Sequence, residues 1–180
     1  MRKVAGLLVL VGFSLLAFAQ SKRLDYSKVK MKVLEKAPVQ PEKEVKKSSE
    51  EWKKELSEQE YYVLREAGTE PPNSPIYKQF KDQGNGAYYC SGCGVELFSS
   101  ETKFDSRSGW PSFYDGVKGN IKLDEDHHLG YKRVEVRCAK CDGHLGHVFD
   151  GEGFGTPTDK RYCINGVCLT FLPDGEGKKK

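Results

Sequence analysis

The chain has 180 residues, of which 37% are hydrophobic and 31% charged, with a formal net charge of +3. That length suits one globular domain with extra segments rather than two full domains, and the composition is that of a soluble protein. From Ser48 to Gly177 the count is 15 basic to 22 acidic residues, which excludes nucleic-acid binding by charge.

Arg2 and Lys3 precede an apolar run from Val4 to Phe18, and Ala17-Phe18-Ala19 has the form of a signal-peptidase site. The run is shorter than the roughly 20 apolar residues that cross a bilayer as a helix. Residues 1–19 are therefore expected to be a cleaved signal peptide and the mature chain to be exported, periplasmic or secreted. A retained N-terminal membrane anchor is the alternative. Gln20 to Lys47 follows with nine Lys/Arg against four Asp/Glu, two prolines and few large apolar residues. It reads as a flexible basic linker, since it cannot bury a core.

Two helix starts come next. Ser48-Ser49-Glu50-Glu51 and Ser57-Glu58-Gln59-Glu60 fit the capping box, in which Ser and Glu satisfy each other's orphan amides. Gly68 is expected to stop the second helix, and Glu70 to Pro75, with its three prolines, to be a loop. After Gln79 the texture changes to short β-type runs: 87–89, 95–98, 120–123, 131–137 and 161–171. Val134 and Val136 share a face of the fourth run. The predicted architecture is mainly β, a small antiparallel β-sheet domain over residues 48–174 with short N-terminal helices, followed by a disordered tail at 175–180.

Six cysteines carry the chemistry. Cys90-Ser91-Gly92-Cys93 and Cys138-Ala139-Lys140-Cys141 each have the spacing of a zinc knuckle. Two knuckles complete one tetrahedral structural site. Disulfides are the competing reading, because export favours them. Cys163 lies in Arg161-Tyr162-Cys163-Ile164-Asn165, where strand alternation puts Arg161, Cys163 and Asn165 on one face. A cation and an amide beside a thiol favour the thiolate and bind a polar ligand, although a buried inert cysteine fits the same three residues. His144 and His147 follow the second knuckle, which already supplies soft ligands with the first, so the pair is available for acid/base work. His127 and His128, in an acidic turn, are expected in solvent. Trp110, between Gly109 and Pro111, is either a core plug or the wall of a small pocket.

The two knuckles together with Lys103-Phe104-Asp105-Ser106, Ser108-Gly109-Trp110-Pro111-Ser112-Phe113, Gly143-His144-Leu145-Gly146-His147-Val148-Phe149 and Arg161-Tyr162-Cys163-Ile164-Asn165 occur in an order that resembles B-type methionine sulfoxide reductases. Leu64-Arg65 and Gly68-Thr69-Glu70 fit the same family, and the match runs from about Glu51 to about Pro173. The resemblance implies an antiparallel β fold with a four-cysteine Zn2+ site, one ion per chain, away from the chemistry. It implies that Cys163 is the nucleophile and forms a sulfenic acid, the reversible first step of cysteine oxidation. It also implies that His144, His147, Arg161 and Asn165 surround the sulfoxide oxygen, that Trp110 holds the substrate methyl, and that oxidised proteins bearing methionine-R-sulfoxide are the partners of a monomeric enzyme.

Two departures from the family pattern bear on recycling. Ser108 stands where many members carry a resolving cysteine, and Asp150 is spaced differently from the Asp that some members carry after the second His. Cys168 is the remaining resolving candidate, yet five residues of extended strand span roughly 16 Å and a disulfide wants Cα atoms within about 7 Å. Direct reduction by an external thiol protein of thioredoxin type is the leading expectation. A zinc-stapled binding module and a thiol–disulfide oxidoreductase using a C-x-x-C pair are the rivals.

Overall fold

A computed structural model describes residues 24–127 and 130–175. The expected signal peptide, His128 and the closing lysines lie outside the described residues. In chain order the elements are β1 (Lys32–Val33), α1 (Ser49–Glu55), α2 (Glu58–Glu66), α3 (Pro75–Asp82), β2 (Gly86–Cys90), β3 (Glu96–Ser99), β4 (Ser112–Phe113), β5 (Ile121–Asp126), β6 (Arg133–Cys138), β7 (His144–Asp150), β8 (Lys160–Ile164) and β9 (Leu169–Pro173). They form a four-stranded sheet in the order β1-β9-β2-β3 and a five-stranded sheet in the order β4-β8-β7-β6-β5. All pairings are antiparallel except β1 with β9. The mainly β class read from the sequence holds.

Both capping boxes form: Ser48 with Glu51 opens α1, and Ser57 with Glu60 opens α2. The third helix was absent from the expectation, although Ser74 caps its start and Pro75 fills its first turn, where the missing proline N–H costs nothing. The stop of α2 also differs. Ala67, not Gly68, takes the left-handed conformation, at φ 52°. Glycine at 68 serves close packing instead, since a Cβ there would lie 2.2 Å from the Tyr62 ring.

The two sheets meet through aromatic rings. Phe98 of β3 stacks on Phe113 of β4 with centroids 4.3 Å apart, and Tyr88 of β2 meets Phe113 edge-on at 5.1 Å. Each such pair adds about 1 kcal/mol beyond the area it buries. Phe80 of α3 closes the cluster against both Tyr88 and Phe113. Register then assigns the two faces of the five-stranded sheet. Val148, Tyr162 and Phe113 are neighbours across β7, β8 and β4 and pack in or against the core. The opposite face is left for chemistry.

Residues 24–47 depart from the flexible linker expected over 20–47. Met31 and Tyr26 are buried, β1 pairs with β9, and the Val45 N–H donates to the Lys140 carbonyl at 2.7 Å. The segment lacks an apolar run of its own, but it borrows an existing sheet edge and one side-chain amide: Gln79 accepts from Met31 N and donates to Met31 O. A strand that adds to a preformed edge needs only its backbone to pair, so composition gave no sign of it.

Candidate active site

Four strands place one row of side chains on the non-core face. Glu135 of β6 lies opposite His147 of β7, His147 opposite Cys163 of β8, and Cys163 opposite Ser112 of β4. Directly opposed residues share a face with Cβ atoms about 5 Å apart, so His147 is the cross-strand neighbour of the Cys163 thiol. Two residues along each strand, Phe149 opposes Arg161, whose guanidinium sits 4.4 Å over the Phe149 ring.

His144 is three residues from His147 and in a regular strand would point to the other face. An irregularity removes the conflict. Between β6 and β7 the register passes from Val136 with Gly146 to Arg137 with His144, leaving Leu145 as an extra residue. This bulge turns both histidines to one side, where their ring centroids are 5.5 Å apart. Bulges next to functional sites commonly re-aim a side chain in this way. Gly146 at the bulge, φ 155°, is required: a Cβ would meet the Cys163 carbonyl oxygen at 2.1 Å.

Each imidazole has its own carboxylate. His144 Nδ1 lies 2.6 Å from Glu135 Oε1, and His147 Nε2 lies 2.7 Å from Asp126 Oδ2. Asp126 also accepts from Arg133. Burial pulls the His144 pKa down and Glu135 opposes it. His144 Nε2 is buried with no partner, which for a polar atom costs about 1–3 kcal/mol unless a ligand satisfies it. Arg133, Glu135, Asp126 and Thr69 were not singled out from the sequence. Alternation through Val134 and Val136 already put Arg133 and Glu135 together on the opposite face, but nothing in one strand says which partner it meets.

A cavity of about 140 Å³ opens over the thiol, lined by Thr69, Trp110, Arg133, Gly146, His147, Phe149, Cys163 and Asn165. Its aromatic walls and small volume suit one apolar side-chain end. A cleft of about 430 Å³ lined by both histidines, Asp126, Glu135 and Glu66 shares Thr69, Arg133 and His147 with it. Trp110 is therefore a pocket wall rather than a core plug. The structure brings Cys163, His147, Asn165 and Trp110 to one cavity and His144 to its polar annex, while Arg161 stands at the rim.

Arg161 and Asn165 each engage a further partner. Arg161 forms a two-pronged ion pair with Glu152 at 2.7 and 2.9 Å, so its charge reaches Cys163 already shared. Asn165 is a brace: its Oδ1 accepts from Glu70 N and its Nδ2 donates to Leu145 O, both at 3.0 Å. Cys163 is held above the usual thiol range by burial, with Arg161 and the Ser108 hydroxyl pulling the other way. Burial thus favours the neutral thiol over the thiolate at this position.

Glu70 ties these parts together. Its carboxylate accepts from Gly166 N and Val167 N, and its carbonyl accepts from Trp110 Nε1 at 3.0 Å. Burial pushes its pKa from 4.5 to about 7, against those two backbone donors. A carboxyl raised on folding stabilises the fold fully below its unfolded pKa, and that stability is lost as pH rises through the folded value. Resistance of the wild type to urea is expected to fall between about pH 4.5 and pH 7, by up to about 3 kcal/mol from this group. Glu70→Gln should remove that part of the slope. Identical slopes in the two proteins would contradict it.

The expected 161–171 strand is in fact broken. β8 ends at Ile164, a 3-10 turn spans Gly166–Cys168, and β9 belongs to the other sheet. Cys168 is fully buried on that turn and donates to the His144 carbonyl, with burial holding its thiol well above the usual range. Ser108 Oγ, by contrast, is 3.9 Å from Cys163 Sγ. Asp150 is exposed at the end of β7, and the carboxylate on His147 is Asp126. His127 is exposed as expected.

The two C-x-x-C pairs converge. The four sulfurs lie within 4.8 Å of one another, with Cys90 to Cys141 at 3.7 Å and Cys93 to Cys138 at 3.6 Å, and no disulfide joins them. Four thiolates about 2.3 Å from one tetrahedral ion stand about 3.8 Å apart, so these residues fit a metal. All four sulfurs are mutual neighbours, the arrangement of one shared metal site rather than of two separate redox pairs. Leu64 of α2 covers the cluster: a Cβ at Gly143 would meet its Cδ2 at 2.9 Å.

The SelR domain family matches residues 56–173. The chain is 51% identical over 136 residues to "Peptide methionine sulfoxide reductase MsrB" of Leifsonia xyli subsp. xyli, covering 75% of this chain and 96% of that one. It is 50% identical over 127 residues to "Peptide methionine sulfoxide reductase B5" of Oryza sativa subsp. japonica, covering 71% and 90%. It is also 50% identical over 139 residues to a Methanosarcina barkeri protein of the first name, covering 77% and 95%.

Proposed function

This chain belongs to the SelR family of B-type peptide methionine sulfoxide reductases, and we propose on that premise that its cavity reduces methionine-R-sulfoxide in proteins through Cys163. The observation that carries the assignment of residues is the placement of Cys163 between the Trp110 wall and its cross-strand neighbour His147, in a cavity sized for one side chain. Trp110 and Phe149 hold the thioether methyl, while the histidines and Arg133 face the oxygen.

Attack by the Cys163 sulfur forms an S–O bond as the substrate S–O bond breaks. The thiol proton, moved by an imidazole, ends on the transferred oxygen, so that thiol and sulfoxide become sulfenic acid and methionine. The substrate sulfur gains two electrons and Cys163 loses two. A protein dithiol of thioredoxin type then reduces the sulfenic acid and releases water. Turnover of the R epimer and not the S epimer, lost on removal of Cys163, supports this reading; turnover of the S epimer overturns it.

Zn2+ is the ion that four thiolates at this spacing suit, and with no open position it supplies structure rather than reactivity. Cys90, Cys93, Cys138 and Cys141 would hold it, one per chain. The enzyme works as a monomer.

Direct reduction follows from the surroundings of Cys163. Cys168 is buried on another element, and the neighbour within reach, Ser108, is a hydroxyl. Ser108→Cys is expected to convert the enzyme to a disulfide-forming one. Wild type should lose one free thiol per equivalent of sulfoxide, and the variant two. Loss of two thiols by the wild type, with a Cys163–Cys168 peptide, would contradict direct reduction.

Export by cleavage after Ala19 is the proposal for location. Among the described residues no helix is long and apolar enough to cross a membrane. N-terminal sequencing should find Gln20 first in the extracytoplasmic fraction; Met1 retained in a membrane fraction would overturn it.

A further inference from the structure

The two carboxylates on the histidines have no role in the reading above, and both come from strands outside the Cys163 hairpin. Glu135 sits in β6 and Asp126 in β5, and they contact opposite nitrogens of the two rings: Nδ1 of His144 and Nε2 of His147. Glu135 is nearly buried, at 12% side-chain exposure, and so is Asp126, at 15%. A neutral imidazole carries one N–H, and a carboxylate facing one nitrogen dictates that the proton sits there.

Resting on the proposed sulfoxide reduction, we infer that Glu135 and Asp126 are positioning residues that impose opposite tautomers on His144 and His147. Glu135 holds the His144 proton on Nδ1, leaving the buried, unpartnered Nε2 as an acceptor. Asp126 on Nε2 likewise leaves His147, the cross-strand neighbour of Cys163, with Nδ1 as its acceptor, and the paired rings take the proton leaving the Cys163 thiol and return it to the transferred oxygen. The imidazolium formed in between is balanced by the carboxylate on its ring, Glu135 or Asp126. Asp126 fixes the His147 ring from its Nε2 side and is itself anchored by Arg133. The other charged groups near the pair are Arg137 on β6 and Glu66 on α2. This arrangement leaves each imidazole one nitrogen able to accept a proton beside the cavity that holds Cys163. It also explains how a chain whose Asp150 is turned to solvent still supplies a carboxylate to the second histidine.

The tautomers can be read directly on the purified mature chain labelled with 15N-histidine, at about pH 8, where ordinary imidazoles are neutral. His144 should carry its proton on Nδ1 and His147 on Nε2. A His144 protonated on Nε2, or one shared tautomer for both rings, overturns the inference without any variant. With variants, Glu135→Gln and Asp126→Asn should each lower kcat about a hundredfold while KM changes less than about twofold. Their single-turnover pH profiles should be displaced from that of the wild type. Superimposable profiles, or a loss carried in KM alone, overturn it. Failure of the wild type on the R epimer would instead strike the proposed reaction, leaving the tautomers to be decided by the ring nitrogens.

Discussion

Chain carrying Cys90→Ser or Cys141→Ser is expected to be recovered unfolded or without bound metal, and the wild type with one Zn2+. Both sulfurs belong to a cluster whose members lie within 4.8 Å, and the cluster joins the β2–β3 and β6–β7 connections. Binding of a structural zinc is worth roughly 10–16 kcal/mol, as much as or more than the roughly 5–15 kcal/mol that holds a whole domain together. Loss of one ligand therefore removes more stability than the aromatic core can replace. Metal analysis together with circular dichroism checks this. A folded, metal-free variant melting with the wild type, or a wild type with both C-x-x-C pairs oxidised, would contradict the assignment.

Cys163→Ser carries the largest expected loss of activity, at least about a thousandfold, because no other residue lining the cavity carries a thiol. The substitution changes one half-buried atom and should leave fold and metal content untouched. Reduction of the R sulfoxide by the variant at more than about a hundredth of the wild-type rate would place the chemistry elsewhere. Cys168 offers no substitute, since it is fully buried against the His144 carbonyl.

What the sequence revealed was local, and what it hid was relational. The capping boxes at Ser48 and Ser57 depend on residues three apart and formed as read. The C-x-x-C pairs were legible because the metal chemistry fixes their spacing, and Trp110 and Cys163 through their motifs. The face shared by Arg161 and Cys163 followed from alternation, but the engagement of Arg161 with Glu152 depended on a loop nine residues away. Asn165 was read as a free donor, yet it lies just beyond the strand, where its amide braces Glu70 and Leu145. His144 and His147 share a face only through the bulge at Leu145, which a partner strand imposes. Strand β7 itself went unread, since glycine and two histidines interrupt its apolar pattern. The edge strand β1 and its segment show the same limit: a basic, proline-containing stretch was read as tether, though the sheet edge it adds to was encoded some 140 residues later.

The central claim is that Cys163 takes the oxygen from a methionine-R-sulfoxide and holds it until an external thiol removes it. One equivalent of R-sulfoxide peptide mixed with fully reduced enzyme, without reductant, followed by mass spectrometry of the cysteine peptides, tests it most directly. The account predicts one equivalent of methionine, the loss of one free thiol, and a trapped sulfenic adduct on the peptide containing Cys163. Methionine formed with Cys163 still reduced, or an equal reaction with the S epimer, would contradict it.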